Sequence, residues 1–323
     1  MNILFCSVGR RAKLLQNVKK TLGQDVKIVA TDAGKIAPAL YFADKTYIVP
    51  KITDSNYIPE ILAICKKEEI QVITTLIDPE IEILAKNREI FEKNNILVLA
   101  PYEQTAELCF DKFKMYEYLV KNGINTVKTY GDFQSFKKAY EMNAIEFPVF
   151  VKPRTGSGSV GARKVDDIHV LEEIMRKDNS LIVQEFMDGQ DLDADVYIDA
   201  ISRKPVAIFT KRKLSTTIGG ANKTVSFKDD KLFSYINDII EKLDFCGPID
   251  MDFFYKNGTY YLSEINPRFG GAYLHAYGAG VDFIQLIYNN YQGKMNLPQI
   301  GNYEENIMMM MYDDVVITKI EGI

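Results

Sequence analysis

The chain has 323 residues, of which 47% are hydrophobic and 26% are charged, so it can bury enough apolar surface for two or three packed domains. That composition excludes a disordered or fibrous protein. A formal net charge of -5 gives no general attraction to nucleic acid or to anionic membranes, and we expect neither as a partner.

Cysteine usage and hydropathy indicate the cellular compartment. The four cysteines form no C-x-x-C pair, so we expect reduced core thiols rather than a disulfide framework or a zinc site. The N-terminal apolar run is short and its basic residues follow it; no segment approaches the ~20 apolar residues of a membrane span. We therefore expect a cytoplasmic protein that acts on small molecules, and we leave open whether it forms a homodimer.

The first hundred residues alternate short apolar runs with amphipathic stretches. The apolar runs predict buried strands, and the stretches with helical periodicity predict helices. The predicted strands are residues 2–7, 26–30, 71–75 and 96–99, and the predicted helices are residues 11–22, 56–67 and 80–92. Strands that alternate with helices in this way imply a parallel sheet, typical of an α/β domain.

The pattern changes after Pro101, where strands come to dominate. Helices are predicted at residues 111–121, 133–141 and 231–243, and strands at residues 147–152, 181–185, 192–199, 206–212, 248–255 and 259–265. Strand-rich regions joined by short helices favour α+β lobes over a single doubly wound sheet. We predict an N-terminal domain of residues 1–100, a small lobe of residues 101–190 and a large lobe of residues 191–323.

A glycine-rich stretch, residues 153–161, follows the strand that ends at Lys152. Its glycines allow backbone N–H groups to approach a polyphosphate, and its Ser and Thr hydroxyls add donors. No helix directly follows, and the Gly-Lys-Ser/Thr ending of a P-loop is absent, so neither a Rossmann nor a P-loop fingerprint fits. Considered alone, the glycines are explained equally well by a flexible hairpin turn.

An acidic hairpin is the second motif. Asp250 and Asp252 lie on one predicted strand, and Glu264 and Asn266 lie on the next, after a Lys-Asn-Gly turn. Alternate side chains of a strand share a face, so Glu264 and Asn266 point together and Asp252 can lie opposite them. Two carboxylates and an amide oxygen suit Mg²⁺ bound jointly with phosphates. The alternative is a solvent-exposed hairpin with polar residues on its outer face.

A third motif begins with the strand at residues 181–185. Gly189 then turns the chain into a strand that carries Asp191, Asp193 and Asp195. Backbone groups at the end of the first strand can bind the edge of a purine, and the later acid can accept hydrogen bonds from ribose hydroxyls. Considered alone, the segment is better explained as an ordinary β-turn-β with solvated acids.

Together, the order of these motifs resembles the ATP-grasp superfamily. The motifs are Asp111-Lys112 at the head of a helix, the Phe-Pro-x-x-x-Lys strand at residues 147–152, the Gly/Ser loop, Gln184-Glu185-Phe186-Met187 with its later acid, and Glu264-Ile-Asn-Pro-Arg268. The match covers about residues 1–293 and looks closest to the branch of the carbamoyl-phosphate synthase large subunit and biotin carboxylase. It implies a parallel-sheet pre-ATP-grasp domain followed by a two-lobed ATP-grasp domain.

The resemblance also implies roles for individual residues. Lys112 and Lys152 would bind phosphates, and a loop containing Thr155, Gly156, Ser157, Gly158 and Ser159 would close over them. Adenine would be held by Gln184, Glu185, Phe186 and Met187, and the ribose by Asp191. The ligands of one or two Mg²⁺ ions, replaceable by Mn²⁺, would be Asp252, Glu264 and Asn266. Arg268 would contact the transferred phosphoryl group or the carboxylate being activated.

Two positions depart from the family's pattern. Asp252 stands where the first metal ligand is usually Glu or Gln, and Asp191 stands where the ribose acid is usually Glu. Both replacements keep an oxygen ligand but shorten its reach.

Other candidates come from their places along the chain. Lys211 lies on a strand that continues toward the cleft, and we take it as a second catalytic candidate beside Arg268. Residues 214–224, rich in Gly, Ser and Thr, form either a mobile lid or a plain surface loop. The candidate substrate contacts lie where N-terminal strands meet the following helices, the usual ligand side of open parallel sheets. They are Arg10, Arg11, Asp78 and Glu80.

These features predict an ADP-forming carboxylate–amine ligase. Carboxylates resist nucleophiles because oxide is a poor leaving group, and transfer of the ATP γ-phosphate supplies a better one. Such a transfer needs positioning and cations more than a protein nucleophile, and we identify no Ser-His or Cys-His arrangement. The expected partners are Mg²⁺, ATP, a small-molecule carboxylate and an amine. Two alternatives stay open: a kinase-like phosphotransferase on the same fold, and a sensor that holds ATP without turnover.

Overall fold

The computed structural model describes residues 1–156, 161–217 and 220–319. Its N-terminal region contains β1 (Asn2–Cys6), α1 (Ala12–Leu22), β2 (Lys27–Asp32), β3 (Lys45–Ile48), α2 (Tyr57–Lys67), β4 (Val72–Thr75), α3 (Asp78–Lys86), α4 (Arg88–Glu92) and β5 (Leu97–Val98). The five strands are parallel, in the order β3-β2-β1-β4-β5. The predicted parallel sheet is therefore confirmed.

The central strand of this sheet is buried on both faces. Ile3 and Phe5 belong to one core, which also contains the apolar side of α1, whereas Leu4 and Cys6 belong to a second core with α2. Because both faces are covered by apolar groups, the strand is a continuous hydrophobic run rather than an alternating one.

A four-stranded antiparallel sheet, the small-lobe sheet, follows. The elements here are α5 (Glu103–Phe110), α6 (Lys112–Lys121), β6 (Thr129–Tyr130), α7 (Phe133–Glu141), β7 (Val149–Pro153), β8 (Arg163–Val165), α8 (Ile168–Lys177) and β9 (Leu181–Glu185). The strand order is β6-β9-β7-β8. Phe136 of α7 and Leu171 of α8 pack on one face against Val149, Val151 and Val183. Alternation along the strands leaves Lys152 and Gln184 on the opposite face.

The large-lobe sheet has six antiparallel strands in the order β14-β13-β10-β11-β12-β15. Its elements are β10 (Gln190–Ile198), β11 (Pro205–Thr217), β12 (Gly220–Phe227), α9 (Asp230–Ile240), β13 (Gly247–Lys256), β14 (Thr259–Asn266), α10 (Leu274–Gly278), α11 (Phe283–Tyr291) and β15 (Met308–Met310). One face carries Leu192, Ala194, Val196, Met251 and Phe253 into the same core as α1. The other face is polar, and we call it the polar face.

One prediction about local structure is wrong. The helix predicted at residues 80–92 is two helices, because α3 ends at Lys86 and is capped by Asn87, whose backbone N–H and side chain both bond to Ile83 O. For residues 214–224, a mobile lid and a plain surface loop were the two alternatives; the described residues of this segment are strand, since β11 continues through Thr217 and pairs with β12 from Gly220 onward. Its threonines have high β propensity, and the two strands pair in antiparallel register.

The fold class is the predicted one: an α/β N-terminal region with a parallel sheet, followed by antiparallel lobes of α+β character. The strands of the three sheets fall close to the three predicted ranges, with β10 beginning at Gln190. The domain boundaries themselves stay a prediction. Among the described residues, no helix has the length and hydropathy that crossing a membrane requires.

Candidate active site

The polar face of the large-lobe sheet collects charged side chains from four neighbouring strands. Antiparallel register places Asp193 of β10 beside Lys211 of β11 on one side and Asp252 of β13 on the other. Asp252 in turn faces Glu264 of β14, and Asp250 faces Asn266. Because alternate residues share a face, each strand contributes more than one polar group. The predicted pairing of Asp252 with Glu264 across the hairpin is confirmed.

A β-bulge sets which residues of β14 reach the polar face. The register shifts by one residue between Asp252 and Phe253, where Phe253 pairs with Leu262 and Ser263 is the extra residue. Without the bulge, Leu262 and Glu264 would share a face; with it, Leu262 packs in the core and Glu264 lies in the cleft.

Lysine side chains contact two of the three residues proposed as metal ligands. Lys213 is hydrogen-bonded to Asp252 and lies 2.9 Å from Asp191 Oδ1. Lys112 Nζ lies 3.5 Å from Glu264 Oε1. Burial lowers the pKa of Lys213, but the carboxylates of Asp252, Asp193 and Asp191 outweigh burial and raise it overall. The carboxylates of the site favour nearby cations, and the cations that contact them here are lysine ammonium groups.

The phosphate-binding candidates Lys112 and Lys152 lie close to each other and to Glu264. Lys152 is buried, and burial lowers its pKa against the opposing effect of Glu264. Lys112 begins α6 and donates from Nζ to Gly156 O at 2.5 Å. Asp111 caps that helix through Phe113 N and Lys114 N. The cap therefore orients Lys112 toward the glycine-rich segment.

Only part of the glycine-rich segment belongs to the described residues. Thr155 and Gly156 are exposed, and Gly156 has a positive φ of 104°, which glycine adopts without strain. Ser157, Gly158 and Ser159 lie outside the described residues. Arg154, just before Thr155, donates from Nε to Asp111 at 2.7 Å and ties this segment to the start of α6.

A cavity, here called the interlobe cavity, lies between the two lobes. It is lined by Lys112, Thr129, Gln184, Leu262 and Glu264, among others. Gln184 is buried and donates to Thr129 Oγ1 at 3.0 Å. Of the neighbouring candidates, Glu185 lies 4.0 Å from Lys256 Nζ, Phe186 stacks under Lys164 Nζ at 5.2 Å, and Met187 is buried.

Lys211 does not line the cleft. Its side chain is fully buried, hydrogen-bonded to Asp195 and 3.0 Å from Asp193 Oδ1. Burial raises the pKa of Asp195 to about 6, against the opposing effect of Lys211. The expectation that Lys211 is a second catalytic residue is therefore corrected. Lys213, two residues further along the same strand, is the lysine that lies beside the proposed metal ligands.

Arg268 is held on two sides by carboxylates. Its Nε lies 2.7 Å from Asp78 Oδ1, and its Nη2 donates to Asp78 Oδ2 at 2.9 Å. Its Nη1 donates to Phe269 O at 3.1 Å and lies 3.6 Å from Asp250 Oδ2. Burial lowers the pKa of Arg268, but Asp78 and Asp250 raise it overall. Asp78 begins α3, so this contact joins the N-terminal region to the large lobe.

The remaining candidate substrate contacts lie in three different environments. Arg11 Nη2 donates to Gly270 O at 2.6 Å, which supports the segment after Arg268, while Arg10 is exposed. Glu80 is fully buried, hydrogen-bonded to Tyr57 and, at 2.6 Å, to Thr75. Burial raises its pKa. The structure therefore places Glu80 inside the N-terminal core, where it cannot contact a substrate.

Sequence reasoning did not name Lys213, and it placed Asp193, Asp195 and Asp250 on their strands without giving them a role. Their signal was present as strict i, i+2 alternation of charge along two strands, Asp191-x-Asp193-x-Asp195 and Lys211-x-Lys213. Such alternation predicts one polar face, but which strands pair cannot be read from it.

Two protein-family models match this chain. A family model described as an ATP-grasp domain matches residues 109–272, about half of the chain, and one described as a PylC-like N-terminal domain matches residues 3–99. The resemblance found in the sequence is confirmed.

Similar proteins are distant in sequence. A phosphoribosylamine–glycine ligase of Fusobacterium nucleatum is 24% identical over 240 residues, covering 65% of this chain and 56% of the relative. The carbamoyl phosphate synthase arginine-specific large chain of Bacillus subtilis is 21% identical, covering 76% of this chain and 24% of the relative. The chain thus spans little more than half of one relative and a quarter of the other.

One solved structure is the biotin carboxylase domain dimer of the 2-oxoglutarate carboxylase of Hydrogenobacter thermophilus, in complex with MgADP, ADP and bicarbonate. It matches with a TM-score of 0.73 at 16% identity, covering 95% of this chain and 73% of that chain. At that identity the match shows the fold alone.

Proposed function

The chain belongs to the ATP-grasp family, and from this membership we propose that it is an ADP-forming ligase that activates a small-molecule carboxylate as an acyl-phosphate for attack by an amine. The named relatives include a ligase that joins an amine to glycine.

One observation carries the proposal: the convergence of Lys112, Lys152 and Lys213 on the carboxylates of Asp252 and Glu264. Phosphoryl transfer needs such cations because charge spreads over the phosphate oxygens as the bond breaks. The same cluster contains neutral and anionic oxygens for a metal ion. A nucleophilic side chain is not needed, because the substrate carboxylate attacks the phosphorus itself.

The residues present fit Mg²⁺. Asp252 and Glu264 lie opposite each other on adjacent strands, and Asn266 follows on the same face with its amide oxygen. Two carboxylates and an amide are the hard oxygen ligands that Mg²⁺ takes beside substrate phosphates. When bound, the ion would neutralise charge on the terminal phosphates and polarise them. The ammonium of Lys213, now on Asp252, would then be free to turn toward a phosphate.

The chain's own residues divide the remaining tasks. We propose that Lys112 and Lys152 bind the phosphates, that Gln184 to Met187 border the base, and that Asp191 binds the ribose. We propose that Thr155 and Gly156 border the phosphates and help to exclude water, which protects an acyl-phosphate from hydrolysis. Arg268 aligns the acid's carboxylate with the terminal phosphate, a placement that lowers the entropic part of the barrier.

The ligase mechanism is tested by following an oxygen atom. If a carboxylate oxygen attacks the γ-phosphate, that oxygen leaves with inorganic phosphate when the amine displaces it. We expect a substrate labelled with ¹⁸O in its carboxylate to transfer label to the released inorganic phosphate. The nucleotide product should be ADP. A phosphorylated product would instead indicate a kinase, and AMP with pyrophosphate would indicate an adenylating enzyme; either outcome contradicts the proposal.

A further inference from the structure

We propose that the site binds a divalent metal ion only together with a polyphosphate, and that Lys213 determines this order by holding Asp252 and Asp191 until the nucleotide binds. The inference rests on the proposed ligase function, since it concerns the same metal ligands. It gives Lys213 the role of an internal counter-ion that excludes free metal ions.

Lys213 bridges two carboxylates to which different roles are proposed. Its Nζ donates to Asp252, a proposed metal ligand, and lies 2.9 Å from Oδ1 of Asp191, the proposed ribose acid. The Lys213 side chain is 11% exposed, whereas those of Asp252 and Asp191 are 27% and 36% exposed. A metal ion from solution can therefore reach Asp252, but it meets a carboxylate that already has a cation.

The second carboxylate ligand, Glu264, also lies beside ammonium groups. Lys112 Nζ is 3.5 Å from Glu264 Oε1 and donates to Gly156 O. Glu264 also raises the pKa of buried Lys152, against the larger effect of burial. Three carboxylates and three ammonium groups thus share this cluster, and their formal charges sum to zero. They are Asp191, Asp252 and Glu264 with Lys112, Lys152 and Lys213.

This charge balance disfavours a metal ion that arrives alone. The ion would lie close to the ammonium of Lys213, where like charges repel, and displacing that ammonium would leave a largely buried cation without its partners. A polyphosphate changes both conditions, because its oxygens complete the octahedral shell of the metal and offer the displaced ammonium a new anionic partner. Metal and nucleotide binding are therefore coupled through Lys213, and each raises the affinity for the other.

The strand geometry at Lys213 suits a side chain that exchanges partners. Regular pairing of β11 with β12 is interrupted directly after Lys213, where Leu214 is an extra residue. Such a bulge disrupts the ladder locally and re-aims side chains, and bulges are frequent beside active sites. Lys211, two residues earlier, lies within the regular ladder and is fully buried. Lys213 is therefore the lysine of this pair that can move between a carboxylate and a phosphate.

The experiment measures metal binding and nucleotide binding separately on the full-length protein. Binding of Mn²⁺ without nucleotide is followed by the electron paramagnetic resonance signal of free Mn²⁺. Binding of the non-hydrolysable ATP analogue AMP-PNP is followed by calorimetry, with and without Mg²⁺. We expect Lys213→Met to raise the affinity for Mn²⁺ alone about tenfold, within the usual range of coupling between sites. The same variant should lower the affinity for AMP-PNP with Mg²⁺ by about tenfold, because a charge-assisted contact to phosphate is lost.

Matched variants separate the effect of charge from general stability. Lys213→Arg keeps a cation and should bind Mn²⁺ alone as weakly as the wild type. Lys223→Met removes the same charge from an exposed position on the neighbouring strand β12 and should change neither affinity. Adding Asp252→Asn to Lys213→Met should abolish the gained Mn²⁺ affinity, which locates the ion at Asp252. Lys213→Gln provides the same comparison if Lys213→Met does not fold.

Opposite changes in the two affinities would support the proposed role of Lys213. If Lys213→Met lowers both affinities or leaves Mn²⁺ binding unchanged, or if Lys213→Arg also raises Mn²⁺ binding, Lys213 does not exclude free metal ions and the ligase function stands. If Mg²⁺ has no effect on AMP-PNP binding and neither the wild type nor the variants bind Mn²⁺, the metal site fails. The ligase function and this inference then fail with it.

Discussion

At the scale of single residues, Glu264 is the group on which the proposed chemistry depends most. It lines the cavity between the lobes, pairs with Asp252 across the hairpin and lies 3.5 Å from Lys112 Nζ. We expect Glu264→Gln to lower kcat by about a hundredfold or more, as losing a preorganised charge in a phosphoryl-transfer site does, because the neutral amide is a poorer metal ligand of nearly the same shape.

The measurement is ADP release at saturating ATP and Mg²⁺. The matched control is Glu241→Gln, an exposed residue at the end of α9, which should keep wild-type activity. Near-normal turnover by a well-folded Glu264→Gln protein would remove the proposed metal site.

Asp78 is a positioning residue for Arg268. Its carboxylate occupies the Nε and Nη2 edge of the guanidinium, the edge that a substrate carboxylate also prefers. We expect Asp78→Asn to lower KM for the acid about threefold or more, because the substrate no longer displaces an anion. The kcat should fall as well, because Arg268 is less firmly held, while KM for ATP should change little.

Steady-state kinetics with the acid and ATP varied separately measure this split. A uniform fall in kcat with both KM values unchanged would show that the Asp78–Arg268 pair is structural only. A rise in KM for the acid would instead indicate that Asp78 contacts the substrate directly.

At the scale of elements, the segment that follows β14 packs so closely on the polar face that one position must be glycine. A Cβ at Gly270 would lie 2.5 Å from Asp250 Oδ1 and 2.6 Å from Asp195 Oδ1. Both carboxylates are buried and cannot swing away freely. We expect Gly270→Ala to lower the free energy of unfolding by about 1 to 3 kcal/mol, the range for overpacked cores, and to lower activity as Arg268 shifts.

Urea unfolding gives the free energy of unfolding for each variant. Gly278→Ala is the matched control, since a Cβ there meets no atom within 4 Å, and it should leave stability unchanged or raise it slightly. Equal effects of the two substitutions would mean that the contact of Gly270 with the aspartates does not matter.

At the scale of the whole molecule, the buried charges of the polar face couple stability to pH through His275. This ring lies between Thr224 Oγ1 at 2.7 Å and Ile307 O at 2.9 Å. Burial and the nearby charge of Lys211 lower its pKa to about 4. Because the unfolded chain binds this proton near pH 6.5 and the folded chain does not, the stability contributed by the neutral ring is present above pH 6.5 and is lost as pH falls toward 4.

Between pH 7 and pH 5 this linkage amounts to about 2 kcal/mol. We expect His275→Gln to remove that difference from the pH dependence of unfolding, although it lowers stability at pH 7. Burial raises the pKa of Asp195 to about 6, so this carboxylate favours the folded chain as pH falls, which is opposite to the effect of His275. The contribution of His275 is therefore taken from the difference in the free energy of unfolding between variant and wild type. His169→Gln changes an exposed residue and should keep the wild-type dependence of the free energy of unfolding on pH. The same dependence in His275→Gln as in wild type would contradict the role given to His275.

Sequence alone was sufficient for the fold class and for the order of the functional segments. Local periodicity determines them: the buried run of β1, the capped start of α6 at Asp111, and the alternation that pairs Glu264 with Asn266 are properties of neighbouring residues. The family resemblance rests on the same local motifs, and it was confirmed.

Only the tertiary structure decided which charges meet. Lys211 and Lys213 have the same i, i+2 spacing and the same chemistry, yet pairing with β10 buries the first among Asp193 and Asp195 and leaves the second beside Asp252. Glu80 and Asp78 lie two residues apart, yet one enters the N-terminal core and the other holds Arg268, 190 residues away along the chain. Such contacts depend on strand register, on the bulge at Ser263 and on how the N-terminal region packs against the large lobe, and these are set by non-local burial that no local pattern records.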